Sequence, residues 1–290
     1  MVGKQVTELD VLPSFTDNSL FPVHNGAGLK KGTLTQLSNY LGTKFSNPNL
    51  LINPDFKINQ RGQSTYSSSK EIYTVDRWSM SNVTTIVNSD GTITISSLSG
   101  LGYCNYREES ISYGKHAYSI YVQAITGDVT AYYRNKDDSD INLGTLKQGL
   151  NTFTPPNDDG FKRLIIAISN GASVTLKYVK VEQSAVATTF VAPNYADELI
   201  KCQRYYFKRY YYYVFYSGSA SFTYIFSDTI PSMRIKPTVD FANTSNSGLT
   251  KAVVSLNTTV KDLTLLIQAV TSKVGNCNVG GTIALDAEIY

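Results

Sequence analysis

The chain has 290 residues, 42% of them hydrophobic and 17% charged, with a formal charge of +3. That length allows two modest domains or one large one, and the scattered basic residues argue against a nucleic-acid surface. No apolar run reaches the ~18 residues of a membrane span, and the opening MVGKQVTELDVL lacks the apolar core of a signal sequence.

Tyrosine is abundant, with 21 copies, and Ser, Thr and Asn are plentiful, which suits β-sheet with polar turns. Cys104, Cys202 and Cys277 are odd in number and far apart. They signal neither a disulfide framework nor a metal site, and read as buried reduced thiols. A soluble protein made in a reducing compartment is expected.

In chain order, residues 1–46 form the first segment. Leu20, Phe21 and Val23 make a short apolar patch, and Asn25-Gly26-Ala27-Gly28 reads as a turn. Thr33 is placed to cap a helix carrying Leu34, Leu37, Tyr40 and Leu41 on one face, which Gly42 stops. One strand and one short helix cannot enclose a core, so another chain or domain must cover these residues.

Residues 47–195 alternate short β runs with turns. Thr84 to Val87 and Thr92 to Ser96 flank Asn88-Ser89-Asp90-Gly91 as a hairpin. Ala117 to Ile125 and Val129 to Arg134 flank a second turn, and Phe161 to Ile168 and Val174 to Gln183 a third. This spacing argues an antiparallel sandwich. Val174, Leu176 and Tyr178 share one face while Val179 and Val181 take the other, which implies a bulge or a strand covered on both sides.

Residues 196–290 begin with a short helix capped by Asn194, with Asp197 and Glu198 in its first turn. Six strand patterns follow: Tyr205 to Tyr216, Ser221 to Phe226, Thr238 to Phe241, Val253 to Thr258, Thr264 to Val270, and Thr282 to Tyr290. In the last, Ile283, Leu285, Ala287 and Ile289 form an apolar face, opposite Thr282, Ala284, Asp286 and Glu288.

The aromatic run from Tyr205 to Tyr216 has more apolar surface than a small sandwich readily hides. One face is expected to meet neighbouring subunits, with Tyr211 and Tyr213 as its pair; the alternative, with Lys208 and Arg209 among the rings, is a sugar- or base-stacking platform. Tyr210 and Tyr212 then belong to the core, although periodicity alone does not fix which face is which. Phe215 and Tyr216, near the loop end, are the candidate ligand-binding rings. Trp78, the sole tryptophan, reads as a core anchor. The acidic loops Asp137-Asp138-Ser139-Asp140 and Asn157-Asp158-Asp159-Gly160 lack EF-hand spacing and read as solvated turns.

No catalytic set is visible. The only histidines are His24 and His116, and the adjacent Glu108 and Glu109 point to opposite faces of a strand. No phosphate loop, dinucleotide fingerprint or internal repeat occurs. The reading is therefore no enzyme, no cofactor and no metal.

Several motifs resemble those of bacteriophage fibre and receptor-binding proteins. LPSFTDNSLFPVHNGAGLKKGTLTQLSNYLG resembles their N-terminal virion anchors. LLINPDFKINQRGQSTYSSSKEIYTVDRW resembles the start of their jelly-roll modules, matching at Asn53, Phe56, Gln60, Arg61, Gly62, Val75, Asp76, Arg77 and Trp78. Those modules look like carbohydrate-binding modules. KVEQSAVATTFVAPNYADELIKCQRYY resembles the junction to a terminal domain, matching at Val181, Glu182, Ala187, Thr188, Phe190, Glu198, Leu199, Cys202, Gln203, Arg204, Tyr205 and Tyr206. IPSMRIKPTVDF and the ending GTIALDAEIY resemble fibre tips.

Taken together, a mostly β chain is expected: an anchor with one helix, a jelly-roll sandwich, and a β-sandwich tip that assembles as a homotrimer. The resemblance implies a virion protein, assembled in the host cytoplasm. Its partners are itself, a tail or capsid protein through the N-terminus, and a bacterial surface glycan or protein, without nucleic-acid binding or membrane insertion. Many weak sites would act together. The alternatives are a head-fibre or collar component, and a small glycan-cleaving tail spike.

Overall fold

The computed structural model describes residues 20–24, 29–42, 45–156, 160–257 and 264–290. These are mostly antiparallel β-structure, with two helices. Strands β1 (Leu20–His24) and β2 (Leu29–Thr33) pair, and α1 (Leu34–Gly42) follows directly. Thr33 starts the helix with a reciprocal capping box. Its backbone N–H donates to Gln36 Oε1 at 2.9 Å, and the Gln36 N–H donates to Thr33 Oγ1 at 3.1 Å. Leu20, Leu37, Tyr40 and Leu41 are exposed, and Leu34 is half-buried. The backbones of Phe21 and Val23 lie in β1; their side chains, and the expected turn at residues 25–28, lie outside the described residues.

Twelve strands build the first sandwich. They are β3 (Thr65–Ser68), β4 (Ile72–Tyr73), β5 (Trp78–Ser81), β6 (Val83–Val87), β7 (Ile93–Ser97) and β8 (Gly102–Ser112). β9 (His116–Thr126), β10 (Val129–Arg134), β11 (Asp140–Thr145), β12 (Gly149–Phe153), β13 (Phe161–Ile168) and β14 (Ser173–Gln183) complete it. One sheet runs β11-β10-β13-β8-β5-β4 and the other β12-β9-β14-β7-β6-β3. The β6–β7 hairpin forms where the Asn-Ser-Asp-Gly turn predicts it. The other two tight turns do something else. β9 and β10 lie in different sheets, as do β13 and β14, so these turns cross the sandwich instead of closing hairpins.

Between the sheets, Trp78, Tyr106, Tyr118, Ile120, Val122, Ile166 and Ile168 are wholly buried. Trp78 packs against Phe56 and Tyr106, with ring centroids 4.9 and 5.2 Å away. In β14 the register shifts around Leu176, so Lys177 is the extra residue. Val174, Leu176, Val179 and Val181 all reach the core, and Tyr178 turns outward, away from the face its spacing implies.

Helix α2 (Tyr195–Gln203) follows, with Asn194 Oδ1 accepting from the Ala196 N–H at 2.9 Å. The second sandwich has sheets β15-β20-β17 and β16-β19-β18. Their ranges are β15 (Tyr206–Ser217), β16 (Thr223–Thr229), β17 (Thr238–Ser247), β18 (Leu249–Asn257), β19 (Thr264–Thr271) and β20 (Gly275–Asp286). Phe207, Tyr211, Leu265, Ile267, Val279, Ile283 and Leu285 form its core.

Two expectations are corrected here. Tyr211 is 5% exposed and packs inside the second sandwich, and Tyr213 stacks on Phe226 at 4.4 Å. The face assigned to neighbouring subunits is therefore the chain's own core, and the open face carries Tyr210, Tyr212, Val214 and Tyr216. The reversal arises because the opposing sheet supplies Phe226 and Tyr224 as partners for the odd-numbered rings. Glu288, placed by alternation among the outward residues, is buried, because β20 ends at Asp286 and the tail turns into the first sandwich.

Candidate functional site

The motif residues of the two halves converge on one joint between the sandwiches. Asn53 takes a left-handed backbone, φ 56°, which asparagine tolerates better than most residues. Its side chain holds the loop by donating to Ile58 O and Asp76 O and accepting from the Ile58 N–H, each at 2.9 Å. Its own N–H donates to Glu198 Oε1 on α2 at 2.6 Å, and its carbonyl accepts from Trp78 Nε1 at 2.8 Å. Gln60 Nε2 bridges Asp76 Oδ2 and the Tyr206 carbonyl, at 2.5 and 2.6 Å.

Arg77 also has a left-handed backbone, φ 71°. Its guanidinium lies 3.7 Å from the Tyr205 ring centroid and donates to Glu288 Oε2 at 2.9 Å. Both charges are fully buried. The tail completes the joint: Tyr73 Oη donates to the Ile289 carbonyl, and the Tyr290 ring meets Tyr73 edge-on at 5.3 Å. Burial raises the Asp76 carboxyl to about 7 despite its bonds from Gln60 and the nearby Arg61. Burial likewise raises Glu108 to about 7. Burial pushes the Cys104 and Cys202 thiols well above the usual range, which makes them unreactive.

Beside this joint an open cleft of about 450 Å³ lies between the sandwiches. Tyr66, Ser67, Tyr73 and Gln63 wall it from the first sandwich, and Tyr206, Lys208, Thr238, Asp240 and Asp286 from the second. Arg61 lies between them. Its guanidinium stacks 3.8 Å from the Tyr206 centroid and sits 3.5–3.6 Å from carboxylate oxygens of Asp76, Asp286 and Glu288. Lys208 Nζ donates to the Arg61 carbonyl at 2.8 Å. The cleft thus offers ring edges, cationic donors and carboxylate acceptors on rigid strands, a composition suited to a polyhydroxylated ligand.

A second aromatic cluster lies on the outer face of the β12–β3 sheet. Tyr178 is 5.4 Å from Tyr121, and Phe190 of the connecting segment stacks over Tyr178 at 4.1 Å. Beneath that segment Lys180 Nζ donates to Thr188 Oγ1 at 2.6 Å, and Glu182 accepts from the Thr188 N–H at 2.7 Å. The connection is pinned to the sheet, and Phe190 takes one face of the ring that a ligand would otherwise stack on. The acidic turn residues Asp137, Asp138 and Asp140 pair with Lys136, Lys162 and Arg134. Residues 157–159 of the other turn lie outside the described residues. Among the described residues no cluster of His, Cys, Asp or Glu suits a metal ion.

Of the ring pair expected to bind ligand, Phe215 packs against Tyr224 and Phe226 in the core, and only Tyr216 is open to solvent. The structure does not bring them together. Of the cleft residues, Tyr66 and Tyr73 stand within the quoted jelly-roll motif, Lys208 within the aromatic run and Asp286 on the outward face of the last strand, but no sequence pattern brings these distant strands to one cleft.

No family model matches the chain, and no curated protein does. Among solved structures it is similar to family 29 carbohydrate-binding modules. One variant is 16% identical and covers 46% of this chain and 100% of its own, with a TM-score of 0.33. A variant complexed with cellulohexaose is 17% identical over 44% of this chain and 96% of its own, TM-score 0.33. One complexed with mannohexaose is 15% identical over 45% and 96%, TM-score 0.31. Similarity this low does not transfer a ligand; the sheets described above define the fold.

Proposed function

We propose that the chain is a non-catalytic adhesion protein that binds a surface glycan in the cleft between its two sandwiches. The observation that carries this is the cleft itself, about 450 Å³ and open, with tyrosine edges interleaved with Lys208, Asp240 and Asp286. The motifs in residues 12–42, 50–78 and 180–206 support a bacteriophage fibre as its setting, attached through the N-terminal segment and presented as a homotrimer. A trimer would let weak sites act together.

Calorimetric titration with neutral disaccharides and hexasaccharides of glucose, mannose, galactose, rhamnose and N-acetylglucosamine tests the reading. Binding of at least one sugar is expected, weakened roughly tenfold or more when Lys208 and Asp240 are both changed to Ala, a loss of about 1.4 kcal/mol. Binding indifferent to that double change would remove the cleft from the account. Asp76, with its carboxyl raised to about 7, favours a second reading, a glycan-cleaving spike. Its side chain is buried under Gln60 and Arg61 rather than facing the cleft, so incubation with glycan is expected to release no new reducing ends.

A further inference from the structure

The cleft does not end at Lys208. Side chains alternate along a strand, so Tyr206 and Lys208 share the outward face of β15 with Tyr210, Tyr212, Val214 and Tyr216. The last four are 55%, 51%, 66% and 66% exposed. From Tyr206 to Tyr216 this face runs roughly 34 Å at the usual rise of ~3.4 Å per residue. We propose that it is a track for a neutral polysaccharide, continuing out of the cleft along sheet β15-β20-β17. The proposal rests on the cleft being a glycan site and adds the length and charge class of the ligand.

Three observations carry it. The first is continuity, because Ala284 and Asp286 of β20 and Thr238 and Asp240 of β17 line the cleft on the same sheet. The second is the seating of the rings. Tyr212 lies opposite Gly280, and a Cβ there would meet Tyr212 Cδ2 at 2.6 Å and Tyr210 Oη at 3.2 Å. Glycine lets both side chains lean across β20 rather than stand upright, which presents ring surface to the apolar side of a sugar.

The third is the chemistry between the rings. Tyr210, Val214 and Tyr216 lie opposite Thr282, Asn278 and Asn276, and Asn278 Oδ1 accepts from Ser245 Oγ of β17 at 3.2 Å. Beyond the cleft these positions carry amides and hydroxyls and no charge. A neutral polymer of hydroxyls fits that pattern. A second copy of the chain would instead bury those polar groups at a cost.

Calorimetry with the neutral hexasaccharides and disaccharides named above tests the track. The hexasaccharide of the sugar that binds is expected to bind at least tenfold more tightly than its disaccharide. Tyr212→Ala with Tyr216→Ala should remove that difference and leave disaccharide affinity within twofold, with the mass by light scattering unchanged. Should the double variant unfold, Tyr216→Ser alone, at the end of the strand, is expected to reduce the difference severalfold. A length preference untouched by these changes overturns the track and leaves the cleft standing. A fall in mass in the variants also overturns it, by assigning the face to self-association. Absence of binding to every sugar counts against the cleft and the track together.

Discussion

At the scale of single residues, the joint depends on charges that water does not reach. Arg77 is held between the Tyr205 ring, the Arg107 carbonyl and Glu288. Removing one partner of such a pair leaves the other charge uncompensated, at a cost of about 3 kcal/mol. Glu288→Gln is therefore expected to lower stability by about that amount in urea denaturation followed by Trp78 fluorescence. Trp78 is a suitable reporter because it bonds to Asn53, whose N–H is held by Glu198 across the joint. Arg77→Met with Glu288→Leu should recover part of the loss, since no buried charge is then left alone. A different sign of effect belongs to Asp76 and Glu108, whose carboxyls burial raises to about 7. The folded chain holds protons that the unfolded chain releases near pH 4. Their contribution is full below pH 4 and is lost as pH rises toward 7. Stability should fall between about pH 4 and pH 7 and level off above, by an amount on the order of a few kcal/mol at most. Asp76→Asn should flatten that slope, and a slope unchanged in this variant would show that Asp76 is ionised throughout.

At the scale of elements, what was legible depended on how local the determinant is. Thr33, Asn194 and the Asn88–Gly91 turn act within a few residues, and the structure has each cap and turn where the spacing puts it. Turns alone do not say which sheet the next strand enters. Thr126-Gly127-Asp128 looks like a hairpin turn, yet it carries the chain from one sheet to the other. Periodicity fixed that β15 has two aromatic faces but not which one faces inward, because that choice is made by Phe226 and Tyr224 on another strand. The cleft was illegible for the same reason: Tyr66, Lys208 and Asp240 approach one another only through the joint. The motif residues themselves were visible, but as a string. Arg61 and Arg77, and through them Asp76 and Tyr205, have roles that depend on Asp286 and Glu288, more than 200 residues further along the chain than Arg77.

At the scale of the whole molecule, two sandwiches share a buried joint, and among the described side chains of residues 20–24 and 29–42 none joins either core. The nine-residue helix α1 is too short to be stable alone in water, yet it presents Leu37, Tyr40 and Leu41 to solvent. Burying that face against another molecule would stabilise it at ~25 cal/mol per Å² of apolar area, before the cost of association. The contacts that tie the chain to the first sandwich begin just after the helix, with Lys180 Nζ donating to Ser46 Oγ at 3.1 Å and the Asn47 N–H donating to Thr188 Oγ1 at 3.0 Å. A chain starting at Phe45 keeps both. Its urea midpoint, read by Trp78 fluorescence, is expected to match that of the full chain, since none of the described residues before Phe45 belongs to the core around Trp78. Light scattering on the same sample separates two uses of the exposed helix. If α1 serves attachment to a different protein, the mass per assembled particle falls only by the deleted residues. If it is the contact between copies, the shortened chain drops to a monomer, and attachment through this segment would have to be abandoned.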